Sequence, residues 1–112
     1  MAKVGRNLVF FGTPEFALPT LEALRDAGRE PSVVVSQPAR PAGRGRRLMQ
    51  PPVARWAEAE GVNLWQPRRV GEEDFLERFS ELEPWVAVVV AFGQIFPGEG
   101  EIDDDRLAFI AP

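Results

Sequence analysis

An α/β fold built on a parallel sheet is predicted by three features of this sequence. Short, uninterrupted apolar runs recur along the chain, most clearly around Val9, Val34 and Val89. Between them lie stretches whose apolar residues repeat at helical spacing. Prolines open these stretches and glycines close them. Consecutive apolar positions mark strands buried on both faces, and strands alternating with helices form βαβ units around a parallel sheet.

The first strand is expected at residues 7–11, stopped by Gly12. Gly12, Thr13 and Pro14 form the first turn. There Thr13 reads as a helix N-cap, Pro14 as the first helical position and Glu15 as a first-turn acid. Pro19 would instead move the start to about Leu18. Leu21 and Leu24, with Phe16 or Ala17 a turn earlier, make the inward stripe, and Gly28 ends the helix. Residues 33–36 are the second strand. After Pro51 and Pro52 a second helix is expected to about Glu60, with Val53, Trp56 and Ala57 inward and Gly61 closing it. Residues 62–66 are a short third strand. Residues 71–81 are a third helix, with Phe75, Leu76 and Phe79 inward and its acids outward. The fourth strand spans residues 85–91, and a fifth begins at Leu107. Right-handed crossovers then give a Rossmann-like, doubly wound sheet of order 3-2-1-4-5. Its ligand edge carries the turn at Gly12, the segment after the second strand, and residues 92–97.

The segment from Gln37 to Pro52 fits no core element. It holds four arginines, two glycines and four prolines without one acid. Four guanidinium groups are costly to bury unpaired, so an exposed basic loop of about 14 residues is expected, longer than ordinary connections. It is either a solvated linker or a phosphate-binding arm in which Gly43 and Gly45 let the backbone approach a polyanion. Residues 92–97 (Phe92, Gly93, Gln94, Ile95, Phe96 and Pro97) are either a plain strand exit or a slot for a flat aromatic ligand with apolar flanks. Trp56, Trp65 and Trp85 read as core or core-margin residues. Asp103, Asp104 and Asp105 point in different directions and read as a surface turn, not a metal site.

Composition excludes several classes of function. The 112 residues contain no cysteine and no histidine, so disulfides, thiol chemistry, imidazole catalysis and the usual zinc sites are not supplied by them. No apolar run approaches the roughly 20 residues of a membrane span, and the cytoplasm is the expected compartment. The net charge of −4 is unevenly spread. Residues 37–69 carry seven arginines against Glu58 and Glu60, whereas residues 70–105 carry eleven acids against Arg78. Such a concentrated basic arm attracts polyanions despite the acidic total. A dinucleotide fingerprint is absent, because Gly12 is the one glycine of this turn and Pro14 and Phe16 occupy places where backbone should approach a pyrophosphate.

The residues Phe11 to Ala17, Gln37 to Met49, Pro52–Val53 and Val88 to Pro97 resemble the amino-terminal part of bacterial methionyl-tRNA formyltransferases, in order and spacing over nearly the whole chain. The resemblance implies that residues 1–112 are the amino-terminal portion of a formyltransferase catalytic domain. The implied reaction is formyl transfer from 10-formyltetrahydrofolate to the amino group of initiator methionyl-tRNA. It implies tRNA contacts by Arg40, Gly43, Arg44, Gly45, Arg46 and Arg47, with Arg44 foremost, and a folate pocket walled by residues 92–97, largely through backbone.

The resemblance also implies a catalytic asparagine, histidine and aspartate that these residues do not provide. The asparagine position falls on Ala111, and Pro112 follows. No catalytic residue is therefore expected in this chain, which alone should be inactive, either as a fragment of the enzyme or as a non-catalytic tRNA- or folate-binding half-domain. The outer sheet edge is expected to need cover from a partner chain or from self-association.

Overall fold

The computed structural model describes residues 7–93 and 107–110. In chain order the elements are β1 (Asn7–Gly12), α1 (Leu18–Asp26), β2 (Val33–Val35), β3 (Arg40–Ala42), β4 (Arg47–Met49), α2 (Pro52–Glu60), β5 (Asn63–Trp65), α3 (Glu73–Leu82), β6 (Pro84–Val90) and β7 (Leu107–Ile110). Five strands pair in parallel in the order β5-β2-β1-β6-β7. This is the expected 3-2-1-4-5 arrangement. The labels differ only because two strands, β3 and β4, belong to a separate hairpin.

The central strand explains the sheet's position. Alternate residues of β1 point to opposite faces, and both faces are buried. Val9 and Phe11 join Val33, Val35, Ala87 and Val89 beneath Phe75 and Phe79 of α3. Leu8 and Phe10 join Val34 and Val90 beneath Leu21 of α1 and Val53 and Ala57 of α2. On the α3 side the core is aromatic: the Phe11 ring lies 6.3 Å from Phe75, 6.0 Å from Phe79 and 5.2 Å from Phe92, centroid to centroid. Edge-on and tilted contacts of this kind add to the burial of apolar area.

The helices begin and end for local reasons. A 3-10 turn at Glu15–Ala17 precedes α1, which starts at Leu18 with Pro19 in its first turn, where the missing N–H is no loss. Thr13 is therefore not a helix cap, and Phe16 is 60% exposed while Ala17 is buried. Gly61 ends α2 in the left-handed region at φ 74°. Glu73 and Asp74 occupy the first turn of α3, where the helix dipole favours acids.

Two expectations need correction. The basic segment is not an irregular loop: β3 and β4 pair antiparallel, with Arg40 opposite Met49 and Ala42 opposite Arg47. Trp85 is not at the core margin but 43% exposed, whereas Trp56 and Trp65 are half-buried as expected. Gln94, Ile95, Phe96 and Pro97, the acids 103–105 and Ala111 lie outside the described residues.

Candidate functional site

The C-terminal ends of β1, β2 and β6 meet at one edge of the sheet, and Thr13 joins them. Its Oγ1 donates to the Phe92 carbonyl at 2.7 Å and accepts from the Gln37 backbone N–H at 3.2 Å. Its own carbonyl accepts from the Val53 N–H at the start of α2, also at 3.2 Å. One residue therefore ties the exits of three strands to a helix. Gln37 adds a second link, its Nε2 donating to the Gly93 carbonyl at 2.9 Å.

Glycine is required twice in this arrangement. A Cβ at Gly12 would lie 2.6 Å from the Phe10 ring and 3.0 Å from both Ala17 Cβ and the Val90 carbonyl. At Gly93 φ is +97°, and a Cβ would meet Gln37 Nε2 at 2.9 Å. Ala91, just before, is held at φ 50°. Left-handed backbone at a non-glycine residue persists only where the surroundings fix it, and such strain gathers at functional sites.

These loops enclose a cleft of about 580 Å³, within the range of small-molecule sites. Thr13 and Pro14 line it from β1, Gln37 and Pro38 from β2, Gln50 and Pro51 from the approach to α2, and Ala91, Phe92 and Gly93 from β6. The remaining wall is the hairpin, through Arg40, Ala42 and Met49. Phe92 does not flank the cleft as an apolar side chain. It is 2% exposed, with its ring packed on Phe11, and its carbonyl is the acceptor for Thr13.

The hairpin divides its residues by face. Directly paired residues of an antiparallel ladder share a side, so Arg40, Met49, Ala42 and Arg47 share one face. Pro41 and Leu48 take the other, and Leu48 is 72% exposed. Arg40 lines the cleft, while Arg44, Arg46 and Arg47 do not and stand exposed at the turn end of the hairpin. Gly43 turns the chain at φ 67° and ψ −168°, and Gly45 at φ 79°. The first combination is open essentially to glycine alone. Among the described residues none of these four arginines has an acidic partner. The ion pairs there join Arg25 to Asp26 and Glu60.

A glutamine network anchors the base of the hairpin, and no motif in the sequence announces it. Gln66 Nε2 donates to Gln50 Oε1 at 2.7 Å and to the Gln37 carbonyl at 3.0 Å, while Gln50 Nε2 donates back to Gln66 Oε1 at 3.4 Å. The recoverable signal is positional: Gln37 and Gln66 each follow a strand, and Gln50 precedes a helix, all at the same sheet edge.

Helix termini contribute little to anion binding here. At α2, Pro52 has no N–H, Val53 donates to Thr13 and Arg55 donates to Pro51. The entry to α1 is occupied by Pro19 and by the Ala17 N–H bond to Pro14. A pyrophosphate seat of the dinucleotide type needs free N–H groups at such ends. Charge recognition at this edge therefore falls to arginine. Among the described residues no helix is long and apolar enough to cross a membrane.

Comparison with known proteins accords with this geometry. The formyl transferase family model matches residues 6–101. The methionyl-tRNA formyltransferase of Pelobacter propionicus is 53% identical over 92 residues, which are 82% of this chain and 29% of that protein. That of Halorhodospira halophila is 54% identical over 89 residues, 80% of this chain and 28% of its own length. That of Thermus thermophilus is 51% identical over 93 residues, 83% and 30% respectively. The chain thus spans less than a third of the relatives it matches. With the family model covering residues 6–101, the chain belongs to the formyl transferase family.

Proposed function

We propose that this chain provides the donor cleft and the RNA-facing arm of a methionyl-tRNA formyltransferase. In that reaction a formyl group passes from 10-formyltetrahydrofolate to the amino group of initiator methionyl-tRNA. One observation carries the reading: the wall of the cleft is itself the base of the arginine hairpin. A small-molecule site and a polyanion-facing arm share one element, which suits a reaction between a folate and an aminoacyl-RNA. The cleft's volume and its mainly proline, alanine and backbone lining suit a flat heterocycle. The donor supplies the activated formyl carbon.

The residues of this chain bind and orient. Thr13 and Gln37 hold the cleft walls together. Arg44, Arg46 and Arg47 present charge to the RNA backbone, with Gly43 and Gly45 shaping the turn. Proton handling is not assigned to any of the 112 residues, which include no histidine. The chain is therefore read as a binding portion of the enzyme.

The test is fluorescence anisotropy with labelled initiator methionyl-tRNA as salt is raised. Replacing Arg44, Arg46 and Arg47 together by Gln is expected to weaken binding and to flatten its salt dependence. The slope should fall by roughly 0.7–0.9 log units per log unit of salt for each phosphate no longer neutralised. An unchanged affinity with an unchanged slope would remove the hairpin from the RNA site.

A further inference from the structure

We propose that Arg40 acts on the small-molecule donor and not on the RNA, by pairing with an anionic oxygen group at one end of the ligand in the cleft. This assignment rests on the donor-cleft reading above. It separates Arg40 from the three arginines that follow it in the same basic segment.

Register and charge carry the argument. Arg40 lies at the base of the hairpin, paired with Met49 and three residues beyond Gln37, which is bonded to Gly93 across the cleft. Among the described residues it is the one ionisable side chain lining the cleft. It has no acidic partner among the described residues, and at the helix starts nearby prolines and existing bonds take up several of the N–H groups an anion would use. The rest of the lining is mainly apolar. Such a site fits a largely apolar ligand with one anionic end, because a guanidinium offers a carboxylate two parallel hydrogen bonds. A run of RNA phosphates would need several cations along its path, and those are found further out, at Arg44, Arg46 and Arg47. On a folate the anionic end is the glutamyl group.

The experiment compares two small ligands and RNA on this same chain. Binding of 5-formyltetrahydrofolate and of 5-formyltetrahydropteroyl methylamide, in which a neutral amide stands in place of the anionic glutamyl group, is measured by calorimetry. The proteins are wild type, Arg40→Gln, Arg40→Lys and Arg44→Gln. Loss of a charge-assisted pair predicts that Arg40→Gln weakens the glutamylated ligand about 10-fold or more. The uncharged methylamide should change less than about 2-fold, and Arg40→Lys should recover part of the loss. RNA affinity should fall in Arg44→Gln and hold in Arg40→Gln. Equal weakening of both folates by Arg40→Gln would overturn the assignment, as would an RNA defect matching that of Arg44→Gln. The latter would move Arg40 to a phosphate. Failure of the wild type to bind either folate would overturn the donor-cleft reading, and this assignment with it.

Discussion

The hydroxyl of Thr13 donates to the carbonyl of Phe92 at 2.7 Å, across a sequence separation of 79 residues. The same oxygen accepts the Gln37 N–H, so a β-branched polar side chain joins the exits of β1, β2 and β6. The Phe92 ring meanwhile is fixed in the core against Phe11 at 5.2 Å. The cleft wall is thereby held on one side by packing and on the other by a hydrogen bond.

Thr13→Val keeps the shape and removes both bonds. It takes the hydroxyl away from the Phe92 carbonyl and the Gln37 N–H in a half-buried place, and two lost hydrogen bonds cost about 1–3 kcal/mol. Denaturant unfolding should show a lower midpoint with an unchanged slope. Thr13→Ser, which retains the hydroxyl, should recover most of the loss. Equal midpoints for Val and wild type would show that water replaces the bonds and that Thr13 does not set the cleft.

Gly12 and Gly43 should respond differently to the same change. A methyl at Gly12 meets Phe10, Ala17 and the Val90 carbonyl, all at 3.0 Å or less. Overpacking of this kind costs about 1–3 kcal/mol, so Gly12→Ala should lower the global unfolding midpoint. A methyl at Gly43 meets nothing within 4 Å, and the penalty is purely one of backbone angle. Gly43→Ala should strain the turn locally by about 1–3 kcal/mol and weaken RNA binding through a distorted turn, while the global midpoint moves less than in Gly12→Ala because the hairpin is exposed. If the two variants unfold alike, the hairpin is part of the cooperative core.

Phe79 and Trp85 reverse the usual expectation from size. Phe79 is 1% exposed and stacks on Phe75 at 5.9 Å, whereas Trp85 is 43% exposed on the outer part of β6. Phe79→Ala should cost about 3–5 kcal/mol, seen as loss of the unfolding transition at room temperature. Trp85→Ala should cost under about 1 kcal/mol, because much of the indole already faces water. A larger destabilisation at Trp85 than at Phe79 would place the core on the wrong side of the sheet.

The parts of the fold legible in the sequence are those where burial writes a pattern. β1, β2 and β6 are apolar on successive residues because both faces are covered, and the strand order follows from right-handed crossovers. The hairpin is not legible for the opposite reason. All six residues of β3 and β4 are exposed, so no alternation marks them, and Pro41 argues against a strand until its edge position is known. Phe92 shows the limit for the site. An aromatic residue after a strand reads equally as pocket wall or as core, and only the Phe11 ring beneath it decides. The glutamine links are tertiary. Gln37, Gln50 and Gln66 are too far apart in sequence for any local rule to connect them.

Those glutamines lead to a prediction about the arm. Gln66 bonds both Gln50, which follows β4, and the Gln37 carbonyl, which precedes β3, and so grips the two legs of the hairpin at once. Gln66→Leu keeps the volume and removes both of these bonds, together with the longer ones that Gln66 donates to Ser36 Oγ and accepts from Gln50 Nε2. The core faces do not include Gln66, so global stability should fall by only about 1 kcal/mol. The local effect should be larger, because opening of exposed segments is set by the few bonds that hold them. Trypsin reports it directly: cleavage after Arg44, Arg46 and Arg47, assigned by mass, should accelerate several-fold in Gln66→Leu. Arg40 is shielded by the proline that follows it and gives no product. If the hairpin is cut at the wild-type rate, the glutamine bonds do not restrain it.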